Sequence, residues 1–207
     1  MAIRPIIRVG DPVLVRKAAP VEDPTSDAVA HLVADMIDTF VSVGSAGIAA
    51  PQIGVSQQVV TYLVPPHRVT GRSGDDPIGV TVLINPEIEP VGEARYVDWD
   101  GCLSVPGMRA KTWRWERIRI TATDLQGRRT ERVVAGAHAR IVQHECDHLD
   151  GVLYVRHLAE PESLGYMDEL VAAGRMPPWA WVDVKAHLRS QTELLARLER
   201  AGIHMAT

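Results

Sequence analysis

Gln143-His144-Glu145-Cys146-Asp147-His148-Leu149-Asp150-Gly151 is the stretch on which the reading of this chain turns. It contains His-Glu-x-x-His. On a helix the two histidines stand four residues apart, so both rings leave one face and can grip a single metal ion. Glu145 lies beside that face, where a carboxylate can take a proton from an attacking water. The surrounding pattern predicts a helix over about 136–149. The plainer alternative is a pair of surface histidines on an amphipathic helix.

Two histidines do not complete a catalytic centre, which takes three protein ligands and keeps one open position. Downstream, the spacing from His144 to Gly151 follows one known extension of the motif, but Tyr154 stands where its third histidine belongs. Glu162 and Glu169 are further candidates, although Pro161 and Gly165 fit poorly with the helix such a ligand needs. Upstream, Asp100-Gly101-Cys102-Leu103-Ser104-Val105-Pro106-Gly107 sets Cys102 in a Gly/Pro-containing loop, exposed enough to ligate. One thiolate and two neutral imidazoles on a dication leave a site of lower charge than three imidazoles. A bound water is then acidified less, and a nearby base such as Glu145 is needed. That donor set suits soft or borderline ions: iron(II), nickel, cobalt or zinc.

Working outward, Val29, Leu32, Val33, Met36, Ile37, Phe40 and Val41 recur at helical spacing after the capping stretch Pro24-Thr25-Ser26, and Gly44 and Gly47 are expected to end that helix. Residues 49–54 read as a tight loop. Strands are expected over 58–64 and 80–84, the second closed by Asn85-Pro86, with residues 65–79 as an exposed loop between them. Residues 117–123 alternate strictly and turn through 124–127 into 129–134, a hairpin. A terminal helix is expected within 181–200. This order gives an α+β fold: a single domain with short antiparallel strands packed around a central His-Glu-x-x-His helix, plus a C-terminal helix. The expected division is a catalytic domain over 1–160 and a C-terminal extension over 161–207.

Composition narrows the function classes. The chain has 207 residues, 46% of them hydrophobic, which suits one globular core. Its formal net charge of -4 argues against nucleic acid or an anionic membrane held by bulk charge. Arg109, Lys111, Arg114, Arg117 and Arg119 read as a basic stripe, but 26 acidic residues outweigh 22 basic ones. No apolar run is long enough to span a membrane, and the start shows no signal-peptide core, so the cytoplasm is the expected location. Two cysteines, Cys102 and Cys146, are too few for a disulfide scaffold. Gly44-Ser45-Ala46-Gly47 is no phosphate loop, since no Gly-Lys-Ser/Thr follows it. Trp113 and Trp115 fall on one side of an extended segment and read as packing residues.

Three ordered segments resemble the peptide deformylase family: Gly47-Ile48-Ala49-Ala50-Pro51-Gln52-Ile53-Gly54, Asp100-Gly101-Cys102-Leu103-Ser104, and the stretch from Gln143 to Gly151. Gly10-Asp11-Pro12-Val13-Leu14 is similar to the family's N-terminal segment, and the likeness covers roughly residues 5–158. The resemblance implies that Cys102, His144 and His148 hold the metal and that Glu145 shuttles the proton from water to the departing amine. It implies that Gln52 and the backbone N–H of Leu103 form the oxyanion hole. Gly47 would bind the extended peptide backbone, and Arg109 would touch the substrate chain. Taken alone, Gln52 reads as a loop-capping amide, Arg109 as a solvated charge and Gly47 as a positive-φ residue.

The implied reaction is hydrolytic removal of the formyl group from N-formylmethionyl peptides and nascent proteins, releasing formate. The implied cofactor is one divalent metal ion, Fe2+ in the cell, with Zn2+, Ni2+ or Co2+ able to replace it. The ribosome is a further partner this reading allows. Two departures from the pattern stand out: Ser45 where a leading glycine is usual, and Asp100 where a longer glutamate is usual. They leave room for a paralogue with altered substrate preference. The rival classes are a zinc endopeptidase using His-Glu-x-x-His and a non-catalytic binder of formylated chains.

Overall fold

Apolar residues at helical and at strand spacing alternate along the chain. The structure, a computed structural model in which residues 2–177 are described, sorts them into two antiparallel sheets and three helices. The helix expected within 181–200 lies outside the described residues. The larger sheet has five strands in the order β1 (Gly47–Ala49), β2 (Val59–Val64), β3 (Ile78–Pro90), β6 (Arg117–Thr123) and β7 (Arg129–Ala135). The smaller has three, β4 (Arg95–Cys102), β5 (Val105–Trp115) and β8 (Gly165–Tyr166). Helices α1 (Asp27–Val43), α2 (Gly136–Leu149) and α3 (Met167–Ala172) complete the α+β domain.

The core explains why β2 reads Val-Val-Thr-Tyr-Leu-Val with no polar face. All six of its residues are buried, because each side of the sheet is covered by a helix. Val59 and Leu63 join Val33, Ile37 and Phe40 of α1 in one apolar cluster. Val60, Tyr62 and Val64 join Ala139, Val142, Cys146 and Leu149 of α2 in the other. Helix α2 is thereby packed on the large sheet with one face left over for the small one. Three side chains of that face clasp the small sheet's β4–β5 hairpin. Gln143 accepts from Trp115 N and donates to Trp115 O, both at 2.9 Å. Arg140 donates to Asp98 O at 2.7 Å and Thr112 O at 3.3 Å, and Asp147 pairs with Arg114.

Several expectations need correction. The β4–β5 hairpin was not foreseen, because its inward residues, Ala110, Thr112 and Arg114, are not an apolar series. Gly44 alone ends α1, with φ of 70°, whereas Gly47 opens β1. Residues 50–53 of the tight loop form a 3-10 turn. The signal Asn85-Pro86 does not close β3. Asn85 takes φ of 50°, its amide bonds both Val21 N and Val21 O at 2.8 Å, and the strand continues past a register shift. Nor is the segment over 65–79 simply exposed. Its Asp75 is buried, and its carboxylate accepts from Ala137 N at 3.1 Å and His138 N at 3.0 Å. Helix α2 has no side-chain cap from its own N-cap residue, so Asp75 supplies that cap from a distant part of the chain.

Candidate metal centre

Cys102 ends β4, where the hairpin turns, and is buried rather than loop-exposed. The turn brings its sulfur to the face of α2 that carries the histidines. One donor atom each from Cys102, His144 and His148 lies within 4.8 Å of the others. Cys102 Sγ is 3.4 Å from His148 Nε2, and it accepts from Ser104 N at 3.3 Å and Gln52 Nε2 at 3.4 Å. The other third-ligand candidates fall elsewhere. Glu162 and Glu169 are exposed, and Tyr154 is buried with its ring stacked on that of His144 at 6.3 Å between centroids.

Electrostatics favour a cation here. Burial alone would raise the Cys102 thiol, but the His148 charge and hydrogen bonds from both histidines prevail, and its pKa falls to about 5. Burial lowers His144, yet Asp100 holds it well above the ordinary imidazole value. A thiolate beside the His144 imidazole, whose proton is retained only through Asp100 and the sulfur, is a pair in which a cation can take the place of a proton. The donor set thus fits a metal ion.

Asp100 is the anchor behind this set. Its Oδ1 is 2.9 Å from His144 Nδ1, and its Oδ2 accepts from Arg114 Nη2 and Thr112 Oγ1, both at 3.1 Å. The shorter side chain therefore still reaches the histidine and fixes which ring nitrogen faces the sulfur side. Arg114 also pairs with Asp147, whose Oδ2 is 3.1 Å from His157 Nε2. Asp100 sits well below the usual carboxylate range: burial pushes it up, and His144, Arg114 and Arg140 more than reverse that. Sequence reasoning missed Arg114 and Asp147. Their signal was a lone arginine in the inward phase of β5 and an acid between two metal-spaced histidines.

Glu145 is buried, and burial raises its carboxyl to about 7, with His144 and His148 opposing. A group poised there both accepts and returns a proton near neutrality. Gly47 faces it: a Cβ at that position would lie 2.8 Å from Glu145 Oε1. The glycine is therefore needed for close approach and not for a positive φ. Ser45 is also unstrained; among the described residues only Asn85 is a non-glycine at positive φ, and Ser45 Oγ donates to Gly47 O at 3.0 Å. Gln52 is buried, its Oε1 accepting from Ala49 N at 2.9 Å while Nε2 points to Cys102 and Ser104.

Ser45, Gly47, Gln52, Cys102, His144 and Glu145 line one cleft of about 480 Å³, together with Leu103, Arg109, Tyr96 and Ile141. The supposed basic stripe dissolves: Arg109 lines the cleft, Arg114 is buried between two aspartates, Lys111 pairs with Glu160 and Arg119 with Glu89 and Glu131. Trp113 and Trp115 do share a side, with the Arg95 guanidinium over both rings at 4.4 and 3.9 Å. Both cysteines are free thiols, and Cys146 is buried among the residues that join α2 to the large sheet.

Residues 3–163 match the family model described as polypeptide deformylase. Peptide deformylase 1 of Nitrosomonas europaea is 43% identical over 168 residues, spanning 81% of this chain and 94% of that protein. Peptide deformylase 2 of Ralstonia nicotianae is 44% identical over 169 residues, with the same coverage. Among solved structures, the class I type b peptide deformylase of Acinetobacter baumannii bound to Met-Ala-Ser superposes with a TM-score of 0.69. It is 34% identical and covers 76% of this chain and 99% of its own. The actinonin complex of the Ehrlichia chaffeensis peptide deformylase reaches a TM-score of 0.70 at 28% identity, covering 84% and 97%.

Proposed function

The chain belongs to the polypeptide deformylase family, and from that premise we propose that Cys102, His144 and His148 hold its one divalent metal ion beside Glu145. Membership makes it a metal-dependent hydrolase that removes the formyl group from nascent peptides. The observation that carries the site assignment is the convergence of the buried Cys102, His144 and His148 donors on one point, with Cys102 and His144 lining the same cleft as Glu145. A bound dication supplies Lewis acidity and a water nucleophile available near neutral pH. Glu145 takes the proton from the attacking water and hands it to the departing amine. Gln52 Nε2 and the backbone N–H of Leu103 donate to the oxygen on which charge develops. The 3-10 turn that buries Gln52 fixes its amide before substrate arrives, since Oε1 is already tied to Ala49 N. Gly47, on β1, binds the substrate backbone as an extended strand, and Arg109 touches the chain further on.

The substrates are N-formylmethionyl peptides, including nascent chains met at the ribosome in the cytoplasm. In support, a neighbour of this fold is bound to Met-Ala-Ser, and no helix among the described residues is long and apolar enough to cross a membrane. The ion is Fe2+, with Zn2+, Ni2+ or Co2+ able to replace it; one thiolate and two imidazoles form a borderline donor set. The catalytic unit is residues 1–160 and the extension 161–207, a division supported by the end of the family match at residue 163. The test is formate release from a formyl-Met tripeptide by anaerobically purified protein of known metal content. Formate at one metal per chain supports the assignment. Cleavage of internal bonds, or a filled site with no formate, overturns it.

A further inference from the structure

The cleft carries a charge that the hydrolysis does not use. Arg68 ends the 3-10 turn Pro66–Arg68 between β2 and β3, and it lines the cleft together with Arg109 of β5. The residue is half-buried, and among the described residues its side chain makes neither a hydrogen bond nor an ion pair. Burial and the nearby Arg109 charge both lower its pKa, with Asp100 opposing. The carboxylate that opposes this shift is already committed, Asp100 being held by His144, Thr112 and Arg114. Arg109 cannot turn away freely, since its Nη1 donates to Met108 O at 2.7 Å and it packs where a Cβ on Gly101 would collide with it.

Both residues line the cleft, their charges repel and neither guanidinium can shed its proton, so an anion at Arg68 relieves the arrangement. A planar guanidinium pairs best with a planar carboxylate, through two parallel hydrogen bonds. On a formylated peptide the amino end is uncharged and methionine is neutral. A growing chain has no free carboxylate at hand, so the anion must be an acidic side chain that follows the methionine.

We propose that Arg68 and Arg109 form a subsite that selects formylated chains with Asp or Glu in the residues just after formylmethionine. This rests on the deformylase reading above. The test compares formyl-Met-Ala-X-amide and formyl-Met-X-Ala-amide with X as Glu, Gln or Lys, alongside formyl-Met-Ala-Gln with a free carboxylate. Amidation separates a side-chain anion from a terminal one. At one of the two positions Glu is expected to lower KM about five- to ten-fold against Gln, with Lys poorer than either and kcat little changed. Arg68→Gln should bring the Glu/Gln ratio close to one, and Arg68→Lys should restore part of it. A ratio near one in the native enzyme, or one that survives Arg68→Gln, overturns the proposal. So does a preference confined to the free-acid peptide, which would mark a terminal-carboxylate site. Calorimetric binding of the same amidated peptides separates the two readings. Tighter binding of Glu peptides without formate release would retain the subsite and reject the deformylase assignment.

Discussion

Glu145 has two properties that a carboxylate seldom combines: it is buried, and one of its oxygens lies directly against a glycine. Burial lifts its pKa to about 7, so the proton it takes is also one it can return. Glu145→Gln keeps the shape and removes the proposed base. Turnover is expected to fall roughly 10²- to 10⁴-fold with metal content unchanged; parallel kinetics and metal analysis check this, and loss of the metal would assign Glu145 a structural role instead. Arg114 makes the opposite kind of prediction. It is buried between Asp100 and Asp147, so Arg114→Met strands two carboxylates out of water. A loss of about 3–5 kcal/mol in urea unfolding is expected. An unchanged midpoint would show that the aspartates find other partners.

At the scale of elements, α2 depends on a residue it does not contain. Gly136 has φ of 57° and leaves space for the Asp75 carboxylate, which lies where a Cβ would sit. That carboxylate also accepts from Thr70 N and Thr70 Oγ1, both at 2.6 Å, so one group stitches the 65–79 segment to the start of the histidine helix. Asp75→Ala removes the cap and leaves buried N–H groups without an acceptor. A cost of about 1–2 kcal/mol is expected, read from urea midpoints. If α2 fraying reaches His144, the variant will also bind metal more weakly than the native chain. The elements legible in sequence were those with a local period or a continuous β-rich run: α1, α2, β2 and the β6–β7 hairpin. The β4–β5 hairpin stayed hidden because its inward face is paid for by ion pairs with α2 rather than by apolar burial.

For the whole molecule, pH and metal act on stability through different groups. His138 is buried with Tyr62 OH 2.9 Å from its Nε2, and burial pushes its pKa from 6.5 to about 4. Between those values the unfolded chain binds a proton that the folded chain refuses, so stability falls as pH drops from 6.5 towards 4. The full window amounts to on the order of 3 kcal/mol. Asp75, whose pKa is lowered by its hydrogen bonds despite burial, loses stability in the same direction at lower pH. Urea midpoints between pH 7 and 5 should slope less in His138→Gln than in the native chain; equal slopes would remove His138 from the account. Metal removal gives an independent readout. The proposed ligands come from the small sheet and from the helix packed on the large one, so chelation is expected to lower the thermal midpoint, with stability falling by about 4 kcal/mol if the free ion stood at a thousand times its dissociation constant. Cys102→Ala should abolish most of the chelator's effect, and a native midpoint indifferent to chelator would argue against a metal at this position.

The sequence by itself determined the donor types and their helix: His144 and His148 share a face because a helix repeats every 3.6 residues, a rule that needs no tertiary contact. It also determined the alternation of 117–123, and with it the sheet that supports α2. Only the tertiary structure decided that Cys102, rather than Glu162, Glu169 or Tyr154, meets the two histidines, and that Asp100 still reaches His144. It alone decided that Asp75 caps α2 and that Arg68 and Arg109 line the same cleft. The physical reason is common to all of these. A residue's chemistry is carried by the chain, but its desolvation and its charged neighbours arise only when distant segments pack, and no local period encodes which segments those are.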